Sequence, residues 1–147
     1  KVNQGADLHS CVPVQALVLG LLQHPDFPKH LEQVRDLYQS RYNTMFQALK
    51  TSLPADCKVT PTEGGMFIWV TLPAYDTFKL AQELLGNNVA VVPSPVFYPT
   101  PDEAPSAMRL NFTNASAEEL LVAVKRIADV LKKTKKVREI EEGAVSL

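Results

Sequence analysis

At 147 residues the chain has room for one domain with a proper core, or for one domain plus a piece of another, but not for two domains of normal size. Fifteen Lys and Arg face sixteen Asp and Glu, so no global field recruits nucleic acid or an anionic membrane, and any anion recognition has to be local. Cys11 and Cys57 form no CxxC, and His9, His24 and His30 form no metal-ligand pattern; both cysteines are expected to be reduced and buried, and no metal is expected.

Lys1 to Ser10 is polar and unlike a signal peptide, and the apolar run Val12 to Leu22 is shorter than a membrane span and interrupted by Pro13 and Gln15. A cytoplasmic protein without a membrane partner is expected. The chain opens without Met, and a run as apolar as Val14 to Leu22 needs a covering surface, which together suggest a fragment. Ser10 is placed to cap a helix with Pro13 in its first turn, where the missing N–H does no harm. Val14, Leu17, Val18, Leu19, Leu21 and Leu22 leave that helix almost no polar face, so it should pack against another domain or subunit.

His24 to Pro28 is a turn-rich break with Asp26 available as a cap. From Lys29 to Leu53, Leu31, Val34, Tyr38, Tyr42, Met45 and Leu49 recur at steps of three and four, the period of one long amphipathic helix that Pro54 ends. A short strand over Cys57 to Thr60 follows, then a turn over Pro61 to Gly65. Met66 to Leu72 predicts a strand with Met66, Ile68, Val70 and Leu72 on one side and Phe67, Trp69 and Thr71 on the other. Both sides are substantially apolar, so a central strand is expected. Asp76 caps a predicted helix over Thr77 to Leu85, with Gly86, Asn87 and Asn88 as its left-handed stop. Val89 to Val92 reads as a buried β run ended by Pro93.

Ser94 to Ser106 holds four prolines and the aromatics Phe97 and Tyr98 without periodicity. A loop of this length is uncommon unless functional or disordered, and its place between two buried strands favours one that lines a site. Ser116 and Glu119 have capping-box spacing, opening a helix with Leu120, Val124, Ile127 and Leu131 on one stripe. Lys132 to Glu142 is a mixed charge run, read as a solvated helix end or tail. The order predicts an α+β fold: a small sheet of about four strands, mainly antiparallel or mixed, with helices on one face, preceded by the long helix.

Ala107 to Phe112 sets one full charge inside an apolar, strand-like run. Alternation sends Met108, Leu110 and Phe112 to one face and Arg109 with Asn111 to the other. An arginine on a rigid strand offers a planar fork of donors suited to a carboxylate or phosphate, which makes Arg109 the candidate anion anchor; the alternative is an ordinary solvated strand arginine.

Four stretches in this order, Gln4-Gly5-Ala6-Asp7-Leu8-His9, Glu63 to Val70, Val89 to Pro93, and Met108 to Phe112 before a capped helix, resemble the C-terminal part of fold-type I pyridoxal-phosphate aminotransferases of class I/II. The likeness is to the branch of 2-aminoadipate and kynurenine aminotransferases and aminotransferase-like transcription regulators, over about residues 1 to 134. The resemblance implies that Arg109 binds the α-carboxylate of an amino-acid substrate. It implies a remnant of the large, cofactor-bearing domain at 1–28, a connecting helix and small domain at 29–134, and a charged tail at 135–147. It also implies pyridoxal phosphate and a homodimer for the full-length parent. The family's cofactor-carrying lysine sits in a Ser-x-x-Lys segment that is not found here, and Lys1 is not taken for it. No catalytic or cofactor-binding residue is therefore assigned, and the chain alone is expected to be inactive. Ser94 departs from the family, which usually has Gly after Val-Val-Pro, at a point where a positive φ would suit Ser poorly. Three functions follow as readings: the substrate-binding portion of an aminotransferase, the effector domain of a transcription regulator, or an unrelated α+β binding module.

Overall fold

The structure, a computed structural model, describes residues 11–134. The Gln4 to His9 stretch, Ser10 and the charged tail at 135–147 lie outside the described residues. Two compact units divide between Leu37 and Tyr38, inside the long helix.

In the first unit, helix α1 spans Val12–Leu22 with Pro13 in its first turn. Cys11 stands at the N-cap and contributes no side-chain hydrogen bond there. It is exposed rather than buried, while Cys57 is half-buried. No residue of α1 is buried. Helix α2 spans Phe27–Ser52 and begins two residues earlier than the apolar period suggested. The Phe27 amide donates to the His24 carbonyl at 3.0 Å and the His30 amide to the Asp26 carbonyl at 3.0 Å. Pro28 therefore occupies the first turn, where an absent N–H costs nothing. At ~1.5 Å per residue the helix is about 39 Å long.

The second unit holds a four-stranded sheet in the order β1-β2-β4-β3, every neighbouring pair antiparallel. The strands are β1 Lys58–Thr60, β2 Phe67–Thr71, β3 Val92–Pro93 and β4 Ala107–Asn111. Between them run α3, Thr77–Gly86, and after β4 comes α4, Ala117–Lys133. The expected small antiparallel α+β sheet is present, with β2 internal as its two apolar faces required.

One face of the sheet carries Ile68 and Val70 of β2 with Met108 and Leu110 of β4, all at most 2% exposed. Against it gather Met45 and Leu49 of α2, Leu80 and Leu84 of α3, and Leu120, Val124, Ile127 and Leu131 of α4 in one cluster. Period-2 alternation hides these four strand side chains, and the helical stripes supply the other half of the core. Helix α4 opens on a complete capping box: Ser116 Oγ accepts from the Glu119 amide at 3.3 Å and a Glu119 carboxylate oxygen accepts from the Ser116 amide at 2.7 Å. Helix α3 starts on Asp76, whose carboxylate accepts from the Phe78 and Lys79 amides.

Several expected boundaries shift. Met66 precedes β2 and is exposed, so it does not share the buried face of Ile68 and Val70. Gly86 is the last residue of α3, and the left-handed residue is Asn88, at φ 57°; asparagine tolerates that region through its short polar side chain. Val89 is buried but Ala90 is exposed, and only Val92 and Pro93 pair as a strand. The Val89 amide donates to the Leu84 carbonyl at 2.9 Å, so the start of that run closes the helix instead of joining the ladder. Pro93 lies within the strand because β3 is an edge, where a missing donor is tolerated. Among the described residues, no helix is long and apolar enough to cross a membrane.

Candidate active-site face

The opposite face of the sheet takes no helix from that core. Its strand positions are Lys58 and Thr60, Phe67, Trp69 and Thr71, Val92, and Ala107, Arg109 and Asn111. Register places Arg109 between Trp69 on β2 and Val92 on β3. Alternation thus put Arg109 and Asn111 on the face expected of them, away from Met108 and Leu110.

Two aromatic rings lie against the guanidinium. Its carbon lies 4.0 Å from the centroid of Phe67 and 4.5 Å from that of Phe97, and Phe97 also meets Trp69 at 6.0 Å between ring centroids. Cations over aromatic faces gain from the ring quadrupole, the more so as water is excluded. Arg109 Nε is buried and has no hydrogen-bond partner among the described residues, nor does any described carboxylate form an ion pair with Arg109. The positive charge is therefore held by rings that cannot neutralise it.

Phe97 comes from the Ser94 to Ser106 loop, which contains two short 3-10 turns, Ser94–Phe97 and Pro101–Glu103. The loop is stapled at both ends. Ser94 Oγ donates to the Pro105 carbonyl at 2.5 Å and accepts from the Ala107 amide at 3.2 Å. Ser106 Oγ reaches the carbonyls of Leu72 and Tyr75 at 2.6 and 2.5 Å. Ser94 is not among the residues with positive φ, so serine fits the backbone here and its hydroxyl ties the loop to β4. The loop does line the face around Arg109, as its position between two strands suggested.

Asn111 shares the face but is engaged elsewhere: its side-chain oxygen accepts from the Thr113 amide at 2.7 Å and hydroxyl at 3.0 Å. The ring partners of Arg109 were missed in the sequence. Phe67 and Trp69 carried a signal, because alternation puts them on the Arg109 face; Phe97 carried none.

What this face can do is hold a small anion at one fixed cation. It does not fit pyridoxal phosphate itself. Its strand positions bring no carboxylate for a pyridine nitrogen, and their one amine, Lys58, is exposed on edge strand β1, two strands from Arg109.

Residues 3–127 match the family described as Aminotransferase class I and II. The chain is 32% identical over 135 residues to aromatic-amino-acid aminotransferase 1 of Thermococcus litoralis, covering 91% of this chain and 32% of that protein. It is 33% identical over 133 residues to 2-aminoadipate transaminase of Thermus thermophilus, covering 90% and 33%. It superposes on the crystal structure of Pyrococcus horikoshii kynurenine aminotransferase with a TM-score of 0.80 at 34% identity, covering 90% of this chain and 33% of that one. The chain thus spans about a third of the length of the relatives it matches. A family match over most of its residues, with the same fold at that identity, makes this chain a member of the class I and II aminotransferase family.

Proposed function

We propose that this chain is the substrate-binding, small-domain portion of a pyridoxal-phosphate-dependent aminotransferase that moves an amino group between an amino acid and a 2-oxo acid. In this reading Arg109 binds the α-carboxylate of the substrate. The observation that carries it is the uncompensated guanidinium: held against the rings of Phe67 and Phe97, with no described carboxylate on it. An arginine meant only for solvation would not be held against two rings.

When bound, the cofactor supplies the electron sink. The work of this chain is orientation, because gripping the carboxylate fixes two of the points that define the pose of the amino acid. The groups that hold the cofactor belong, on this reading, to the rest of the parent protein, and α2 joins its large domain to the small one. In the intact homodimer α1 is covered by the large domain or the second subunit; in support, its seven large apolar side chains are 49 to 74% exposed.

The test is Arg109→Lys in the intact protein, which keeps the charge and loses the fork. Losing one charge-assisted hydrogen bond, about 1.5–3 kcal/mol, lowers kcat/KM for the amino acid roughly ten- to a hundredfold or slightly more. The absorbance of the bound cofactor stays unchanged. A value within about twofold of the parent would overturn the assignment. The 147-residue chain alone, incubated with pyridoxal phosphate and reduced with borohydride, should yield no stoichiometric lysine adduct and no turnover.

A further inference from the structure

We infer that Phe97 is a positioning residue for Arg109, and that the burial of Nε leaves an anion only the two terminal nitrogens of the guanidinium to bind. The inference rests on the reading of Arg109 as the carboxylate anchor and adds how that anchor is held. Three observations carry it. First, the guanidinium carbon lies 4.0 Å from the ring centroid of Phe67 and 4.5 Å from that of Phe97, so two ring contacts restrain it. Second, Nε is buried without a partner among the described residues; a carboxylate oxygen, no smaller than water, cannot reach the side edge formed by Nε and one terminal nitrogen. The end-on edge is what remains, and it offers two parallel donors to two carboxylate oxygens. Third, the two rings differ in origin. Phe67 is fixed in β2, whereas Phe97 hangs from the loop that Ser94 and Ser106 staple to the sheet and rests on Trp69. The orientation of the anchor therefore depends on where the loop sits.

Phe97 is 42% exposed, so replacing it removes one of the two rings at Arg109 without opening the core. Two variants separate a positioning role from plain packing: Phe97→Leu removes the ring and Phe97→Tyr keeps it. In the 147-residue chain, the exchange rate of the Arg109 Nε–H is read by 15N-detected NMR without any ligand. Phe97→Leu should raise it about tenfold or more, and Phe97→Tyr should leave it within about twofold. In the intact protein, with L-2-aminoadipate or L-phenylalanine as amino donor, Phe97→Leu should raise KM roughly five- to twentyfold with kcat within twofold, and Phe97→Tyr should restore KM. Unchanged exchange in Phe97→Leu, or a fall in kcat at constant KM, overturns the inference. If Arg109→Lys is impaired while Phe97→Leu behaves as the parent in both assays, this inference fails and the anchor stands. If Arg109→Lys is itself unimpaired, the anchor fails whatever the exchange rates.

Discussion

Ser94→Ala is the perturbation that best measures how firmly the site loop is tied to the sheet. Ser94 is fully buried, and its hydroxyl serves two backbone groups at once: it donates to the Pro105 carbonyl and accepts from the Ala107 amide. Alanine keeps the Cβ, and the space it leaves is one oxygen atom. The Ala107 amide is then left without its acceptor in a residue that is 0% exposed, which costs about 1–3 kcal/mol. Pro105 is exposed, so its carbonyl turns to water and only the net value of a hydrogen bond is lost, about 0.5–1.5 kcal/mol. Together the destabilisation is roughly 2–4 kcal/mol. With an m-value of ~2 kcal/mol/M the urea midpoint falls by roughly 1–2 M with the slope unchanged. Ser94→Gly should cost up to about 1 kcal/mol more, through the added freedom of the unfolded chain. A loss below about 0.5 kcal/mol for Ser94→Ala would mean that the loop does not depend on this hydroxyl, and the staple argument would go with it.

Ser116→Ala removes the cap of α4 and should cost about 1 kcal/mol, read by urea unfolding. The backbone amide of Ser116, then its hydroxyl, then the positive charge of Arg41 hold the Glu119 carboxyl below its ordinary range. A depressed folded-state value means that the stabilisation is present above the ordinary carboxylate range and is lost as pH falls through the lowered value. Glu119→Gln should therefore flatten part of the acid limb of a stability-against-pH curve, and parallel curves for parent and variant would refute this. Ile127, fully buried in the core, should cost about 0.5–1.5 kcal/mol as Ile127→Val and about 2–5 as Ile127→Ala, whereas Val122→Lys on the exposed side of the same helix should stay within about 0.5 kcal/mol of the parent; thermal or urea unfolding separates the two faces.

What could be read from the sequence was whatever a few neighbouring residues decide. Alternation in β2 and β4 sorted Ile68, Val70, Met108 and Leu110 from Trp69 and Arg109, because the pleat allows no other outcome. The caps at Asp76 and Ser116 were legible because their partners lie two or three residues away. The run after α3 misled for the complementary reason: its β-branched residues fit a strand, but the Leu84 carbonyl claims the Val89 amide first, and the ladder is left with two residues. Ser94 and Phe97 could not be read at all. Their partners, Pro105, Ala107, Trp69 and Arg109, lie 11 to 28 residues away, and the loop between has no period to fix a side. The same division of labour between the faces explains why a strand can carry Arg109. Helices crowd one face of the sheet until it is dry, and a charge there would need a partner to offset its desolvation. On the other face a loop brings rings instead of carboxylates, so the guanidinium is held in place while its charge remains free for a ligand.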